Sequence, residues 1–206
     1  MSDYFALLDE PRRPWLDPAA LKARFFQRST AVHPDRFHNA PEAEKSRAGQ
    51  CYAELNAAYQ CLSEPKDRLQ HLLTLELGAK PKDMQRIPPG TMDLFMEVGQ
   101  LCRDADAFLA QRAGVTSPLL KVQFFQRGME WTDKLNALQQ TVNAKRDALG
   151  AELQSMNGAW ETAPAAGLPE RAAALPLERL EQIYRVFSYV LRWTEQIQER
   201  TVQLAM

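Results

Sequence analysis

Eleven consecutive residues, AVHPDRFHNAP from Ala31 to Pro41, bring together side chains that could do chemistry. His33, Asp35 and His38 are metal-ligand types. A His–Asp pair could also exchange protons if a pocket kept water away. A structural metal usually has four ligands. Here there are three, Pro34 interrupts any regular face, and the remaining histidine, His71, lies in another helix. No G-x-S-x-G, P-loop or G-x-G-x-x-G pattern supplies a nucleophile or a phosphate cradle. A metal-dependent hydrolase built on His33, Asp35 and His38 is the alternative from the enzyme class. The preferred expectation has no catalytic residue, no metal and no cofactor. A plain helix end with ordinary turn residues also stays open, because a tripeptide alone carries little information.

The elements around the cluster are all helical in pattern. Apolar residues recur at 3.6-residue spacing and strand-like alternation is nearly absent, so the fold class expected is all-α. A short helix is expected over SDYFALL. A second begins at Asp17-Pro18, with Asp17 as N-cap and Pro18 in the first turn, where its missing N–H costs nothing. It ends at Val32 or His33, because Pro34 disfavours α geometry in the residue before it. A third starts around Pro41, with Glu42 and Glu44 favourable at its positive end. Its stripe is Ala48, Cys51, Leu55, Ala58 or Tyr59, and Leu62. A fourth runs from Pro65 to a stop at Gly78.

Beyond this, GAKPKDMQRIPPG reads as a linker. Three longer periodic stretches follow, at about Met92–Gln111, Pro118–Met156 and Leu177–Leu204. Their patterns suggest a three-helix bundle. The second stretch carries Leu135, Leu138, Val142, Leu149, Leu153 and Met156 on one side. The third has Leu177, Leu180, Tyr184, Phe187, Leu191 and Thr194 as its seam. The segment ETAPAAGLPERAAALP between them is expected to be a mobile loop. The domain division expected is residues 1–77, a linker at 78–90, and a helical bundle over 91–206.

Bulk properties limit the partners. The 206 residues carry 25 Lys and Arg against 26 Asp and Glu, and this balance disfavours a dedicated nucleic-acid binder. No apolar run nears the ~18 residues of a membrane span, and the first residues lack the pattern of a signal peptide. The three cysteines have no C-x-x-C spacing, which fits a reducing cytoplasm. Charge is nevertheless uneven. Residues 12–36 hold six Lys or Arg against two Asp. A cationic helix ending in a proline-stiffened, charged turn is a surface suited to an acidic protein partner.

DYFALL, the basic helix ending in HPD, and LNAAYQCLSEPKDR occur in that order, and together they resemble a J-domain. RLQHLLTLELG and LFMEVGQLCRD narrow the resemblance to HscB, the J-protein family of iron–sulfur cluster assembly. The resemblance implies an N-terminal J-domain followed by a three-helix domain. It implies a co-chaperone that stimulates the ATPase of an HscA/DnaK-class chaperone and delivers an iron–sulfur cluster scaffold protein to it. A J-domain protein with another client is the runner-up.

By the resemblance, His33, Pro34 and Asp35 are the activating motif. Lys22, Arg24, Arg28 and Arg36 steer the ATPase into place, and Phe95 and Met96 meet the scaffold. Two departures stand out. Arg28 is expected on the inner face marked by Leu21, Phe25, Ser29 and Val32, where the family carries an apolar residue, with Phe26 compensating. Gly99 falls where a scaffold-binding leucine is expected.

Overall fold

The computed structural model describes residues 2–81, 88 and 90–205. Among them there is no strand, and the all-α expectation holds. The helices are α1 (Tyr4–Leu7), α2 (Pro18–Ala31), α3 (Glu42–Ser63), α4 (Pro65–Leu77), α5 (Met92–Ala113), α6 (Pro118–Thr162), α7 (Pro169–Ala174) and α8 (Leu177–Ala205). A 3-10 turn, Pro34–Phe37, joins α2 to α3. Of the expected linker at 78–90, residues 82–87 and 89 lie outside the described residues.

Packing divides the chain into two compact units that do not follow chain order. The first is Met1–Asp83 with Gly150–Tyr184, and the second is Met84–Leu149 with Arg185–Met206. The sequence-based division at 77 and 91 runs along the chain, whereas packing adds 150–184 to the N-terminal unit.

In the first unit, local capping starts the helices where the sequence indicates. The Asp3 carboxylate accepts from the amides of Phe5 and Ala6 at 3.0 and 3.3 Å. The Asp17 carboxylate accepts from Ala20 at 2.7 Å, and Pro18 opens α2. Gly78 ends α4 in a left-handed conformation, φ 73°, where only glycine is free of strain. Phe5, Leu8, Leu21, Leu55, Ala58, Leu62, Leu69, Leu72 and Leu73 form the core. Phe25 stacks on Tyr59 with ring centroids 4.5 Å apart. His71 is buried, and its Nε2 accepts the Tyr4 amide at 3.1 Å. Buried Arg68 ties the α3–α4 corner by donating to the carbonyls of Leu62 and Pro14 at 2.6 and 2.9 Å. Burial lowers its pKa to about 10.

The later segment of this unit is stitched in by polar contacts. The Asn157 side chain accepts from the Trp15 amide at 3.1 Å and donates to the Trp15 carbonyl at 3.0 Å. Arg171 meets Glu76 in a bidentate pair at 2.7 and 2.9 Å and donates to the Pro164 carbonyl at 2.6 Å. The Gln70 amide donates to the Tyr184 hydroxyl at 3.1 Å. The expectation of a mobile loop over 161–176 is therefore corrected. The segment contains α7, opened by Pro169, and Arg171 is buried.

In the second unit, α5 buries Val98, Cys102, Ala105 and Phe108, and α6 buries Leu135, Leu138, Val142 and Leu149. The seam of α8 differs from expectation. In the part of α8 that belongs to the first unit, Leu177, Leu180 and Ile183 are buried; in the part that belongs to the second, Phe187 is buried but Leu191 is exposed, and Val186, Val190, Trp193, Ile197 and Leu204 fill the core instead. Apolar residues of α8 occupy a wide arc, so two rows about 100° apart both fit the sequence. Arg200 anchors α8 to α5 by an ion pair to Asp106 at 2.7 Å. Arg112 donates to the last carbonyls of α8, on Leu204 and Gln203, at 2.8 and 2.7 Å.

Candidate functional site

The HPD turn follows directly from how α2 must end. Val32 leaves helical geometry at ψ 13°, and its amide donates to Ser29 at 3.2 Å. His33 is extended, and Pro34 opens the 3-10 turn with its φ fixed by the ring. Three hydrogen bonds then hold the turn closed. The Asp35 amide donates to His33 Nδ1 at 3.3 Å, the Arg36 amide donates to the His33 carbonyl at 3.0 Å, and His38 Nδ1 donates to the Asp35 carbonyl at 2.9 Å. His33 Nδ1 also lies 3.5 Å from the Asp35 carboxylate. That contact is an ion pair only when the ring is protonated. With Nδ1 accepting from the amide, the amide bond is the one that orders the turn.

Side chains and backbone are thus divided between two tasks. His33 faces inward against Tyr52, ring edge to face with centroids 5.1 Å apart. The Asp35 side chain is 88% exposed and points its carboxylate at solvent. Arg36 donates back to the Thr30 carbonyl at 3.3 Å and so caps α2. A shallow apolar groove of about 190 Å³, lined by Val32, Phe37, Ala48 and Cys51, lies next to the turn.

The cations behind the turn are not equivalent. Arg24 pairs with Asp9 and Glu10 at 3.0 and 3.3 Å, so much of its charge is neutralised locally. Lys22 sits over the Phe26 ring at 5.8 Å. Arg28 is exposed, and the expected inner-face position is corrected. It lies about 100° round the helix from Ser29, off the row of Leu21, Phe25 and Ser29. Phe26 is exposed too, so it compensates for nothing in the core. Among the described residues, Arg28 forms no ion pair.

Sequence reasoning missed Tyr52 and the bracing role of His38. Tyr52 stands seven residues before Tyr59, which stacks on Phe25. That spacing puts both tyrosines on the α3 face turned to α2, two turns apart, and could have placed Tyr52 beneath the end of α2. The hydrolase alternative is not favoured by this arrangement. The Nδ1 atoms of His33 and His38 are both spent on backbone groups of the turn. Among the described residues, no group of three or more His, Cys, Asp or Glu side chains is arranged to hold a metal.

The second candidate surface is in the other unit. Met92 and Met96, one turn apart on α5, are more than half exposed, while Val98 is buried. Phe95 is half-buried and leans edge-on against Tyr189, centroids 6.2 Å apart. Arg192 covers the Tyr189 ring at 4.6 Å. At Gly99 an added Cβ would come 3.4 Å from the Arg103 guanidinium, an ordinary contact, so space does not dictate the glycine.

No protein-family model matches the chain. A co-chaperone protein HscB homolog of Azoarcus sp. (strain BH72) is 41% identical over 73 residues, 35% of this chain and 41% of the relative. One from Shewanella halifaxensis is 40% identical over 74 residues, 36% of this chain and 42% of the relative. The chain thus spans about two fifths of the length of the curated relatives it matches. Two solved structures match nearly the whole chain in fold. Chaperone HscB from Vibrio cholerae has a TM-score of 0.55 at 23% identity, covering 96% of both chains. The human co-chaperone protein HscB has a TM-score of 0.59 at 20% identity, covering 98% of this chain and 81% of that one. In sequence over about a third of its length, and in fold over nearly all of it, this chain is similar to the HscB co-chaperones.

Proposed function

We propose that the protein is a J-domain co-chaperone of iron–sulfur cluster assembly. It docks on a heat-shock ATPase of the HscA/DnaK class and presents a cluster scaffold protein to it. The observation that carries the proposal is the braced turn. Proline, two histidines and three hydrogen bonds fix the backbone so that one carboxylate, on Asp35, projects into solvent beside a cationic helix. A pre-organised carboxylate is suited to a charge-assisted, bidentate contact with a guanidinium on the partner. Lys22, Arg28 and Arg36 supply a field that speeds encounter with an acidic lobe. Arg24 contributes less, because Asp9 and Glu10 already hold it. In this reading the protein does no bond chemistry itself and works in the cytoplasm. No helix among the described residues is long and apolar enough to cross a membrane.

The test is stimulation of the steady-state ATPase of a cognate chaperone. His33→Gln and Asp35→Asn should each abolish most of it with the fold unchanged. Losing one charge-assisted contact costs about 2 kcal/mol, or roughly 30-fold in affinity. Normal stimulation by both variants overturns the reading.

We assign scaffold capture to the Met92–Met96 face of α5, where Phe95 leans on Tyr189. Phe95→Ala with Met96→Ala should weaken scaffold pull-down by at least about tenfold, the effect of removing two apolar anchors, and leave ATPase stimulation without scaffold intact. Retained capture moves the client surface elsewhere and leaves the chaperone reading standing.

A further inference from the structure

A separate surface in the second unit has no place in that function. At the start of α6, Leu119, Val122, Phe125 and Met129 are 71, 59, 68 and 57% exposed. Their spacing of three and four puts them in one row. This is unusual, since four large apolar side chains in one helical row normally face a core. Beside the row, α6 and the ends of α5 and α8 leave a groove of about 270 Å³. Phe125 and Met129 form one wall and Leu204 another, with Arg112 and Asp133 among its lining.

We infer that this row is the contact by which two copies of the chain associate about a two-fold axis. Area is the first argument. From their exposed fractions, the four side chains leave roughly 450 Å² of apolar surface per copy, within the range of a monomer's largest patch. Two such patches face to face bury roughly 900 Å², the size of a weak, concentration-dependent interface. Shape is the second. A two-fold contact needs one patch to be its own complement. Here the projecting row and the groove adjoin, and Phe125 and Met129 belong to both. Charge is the third. Beside the row, Lys121 lies on one flank of α6 and Glu130 on the other, with Asp133 in the groove. Mixed signs let two identical faces approach without like-charge repulsion. A helix adapted to anionic lipid would instead carry a consistently basic flank.

The inference is independent of the proposed function, because self-association is read without chaperone or scaffold. Analytical ultracentrifugation of the full chain from about 5 to about 500 µM spans the affinity expected of a small interface. The mass should rise from 23.4 kDa toward twice that value. Val122→Glu with Phe125→Glu should hold the chain at the monomer mass throughout. Because both positions are exposed, the helical circular dichroism and thermal midpoint should match the parent. A parent that stays monomeric overturns the inference, as does a double variant that dimerises like the parent. A monomeric parent that sediments with phosphatidylserine vesicles overturns it in favour of a lipid surface.

Discussion

At the scale of single residues, the least obvious contributor is Tyr52. It touches no partner in the proposed function, yet its ring is what the inward face of His33 rests against. An aromatic edge-to-face contact contributes about 0.5–1.5 kcal/mol. Tyr52→Ala should therefore loosen the turn and speed exchange of the Asp35 amide several-fold, measured by NMR hydrogen exchange. ATPase stimulation should fall in parallel through a higher half-saturating concentration. Tyr52→Phe keeps the ring and should keep both properties. Faster exchange in the phenylalanine variant would mean that the hydroxyl, and not the ring, supports the turn. The turn residues themselves were legible in the sequence, because proline and histidine have strong local preferences. Their brace was not, since it depends on which face of α3 meets α2. The inner-face expectation for Arg28 failed for the same reason. A one-residue error in phase is about 100° on a helix, enough to turn a buried position into an exposed one.

At the scale of elements, the helix starts at Asp17-Pro18 and Pro65 and the stop at Gly78 were readable, because capping is local chemistry. The segment after α6 was not. Its prolines, alanines and glycine look like a connector, and only Glu76, far off in sequence, makes Arg171 a structural residue. In the ion pair, the Arg171 and Glu76 side chains are 10 and 2% exposed. The hydrogen bonds that Arg171 donates to Glu76 hold its guanidinium above its usual pKa. Removing one member of such a pair strands the other charge. Arg171→Met should cost about 3 kcal/mol, a fall in Tm of roughly 6–12 °C for a chain of this size. Arg171→Met with Glu76→Leu should recover most of the loss. Equal destabilisation by the single and double variants would show that packing, not charge, holds α7 in place. The seam of α8 illustrates a milder limit. Two apolar rows were available, and only the packed bundle selects Ile183, Val190 and Trp193 over Leu191.

At the scale of the whole molecule, the sequence conveyed the class and the order of helices but not the grouping. A linear reading puts a boundary near residue 78, whereas packing counts 150–184 with the N-terminal unit. A fragment ending at residue 81 would leave Glu76 without Arg171 and Trp15 without the Asn157 amide. It should melt at least about 10 °C below the full chain, by the same conversion of lost buried contacts to Tm. Adding a peptide of residues 150–184 in trans should raise the melting point again. A fragment as stable as the full chain would mean that the later segment is an ornament.

The stitches at Trp15 and Glu76 also set a timetable during synthesis. About a hundred residues separate the end of the early part of this unit from the end of the part that completes it. At roughly 5–20 residues per second on the ribosome, the nascent N-terminal half waits about 5–20 s before Asn157 and Arg171 emerge. Throughout that interval the Glu76 carboxylate lacks its guanidinium, so the newborn chain passes through a half-finished stage before α7 docks on α4.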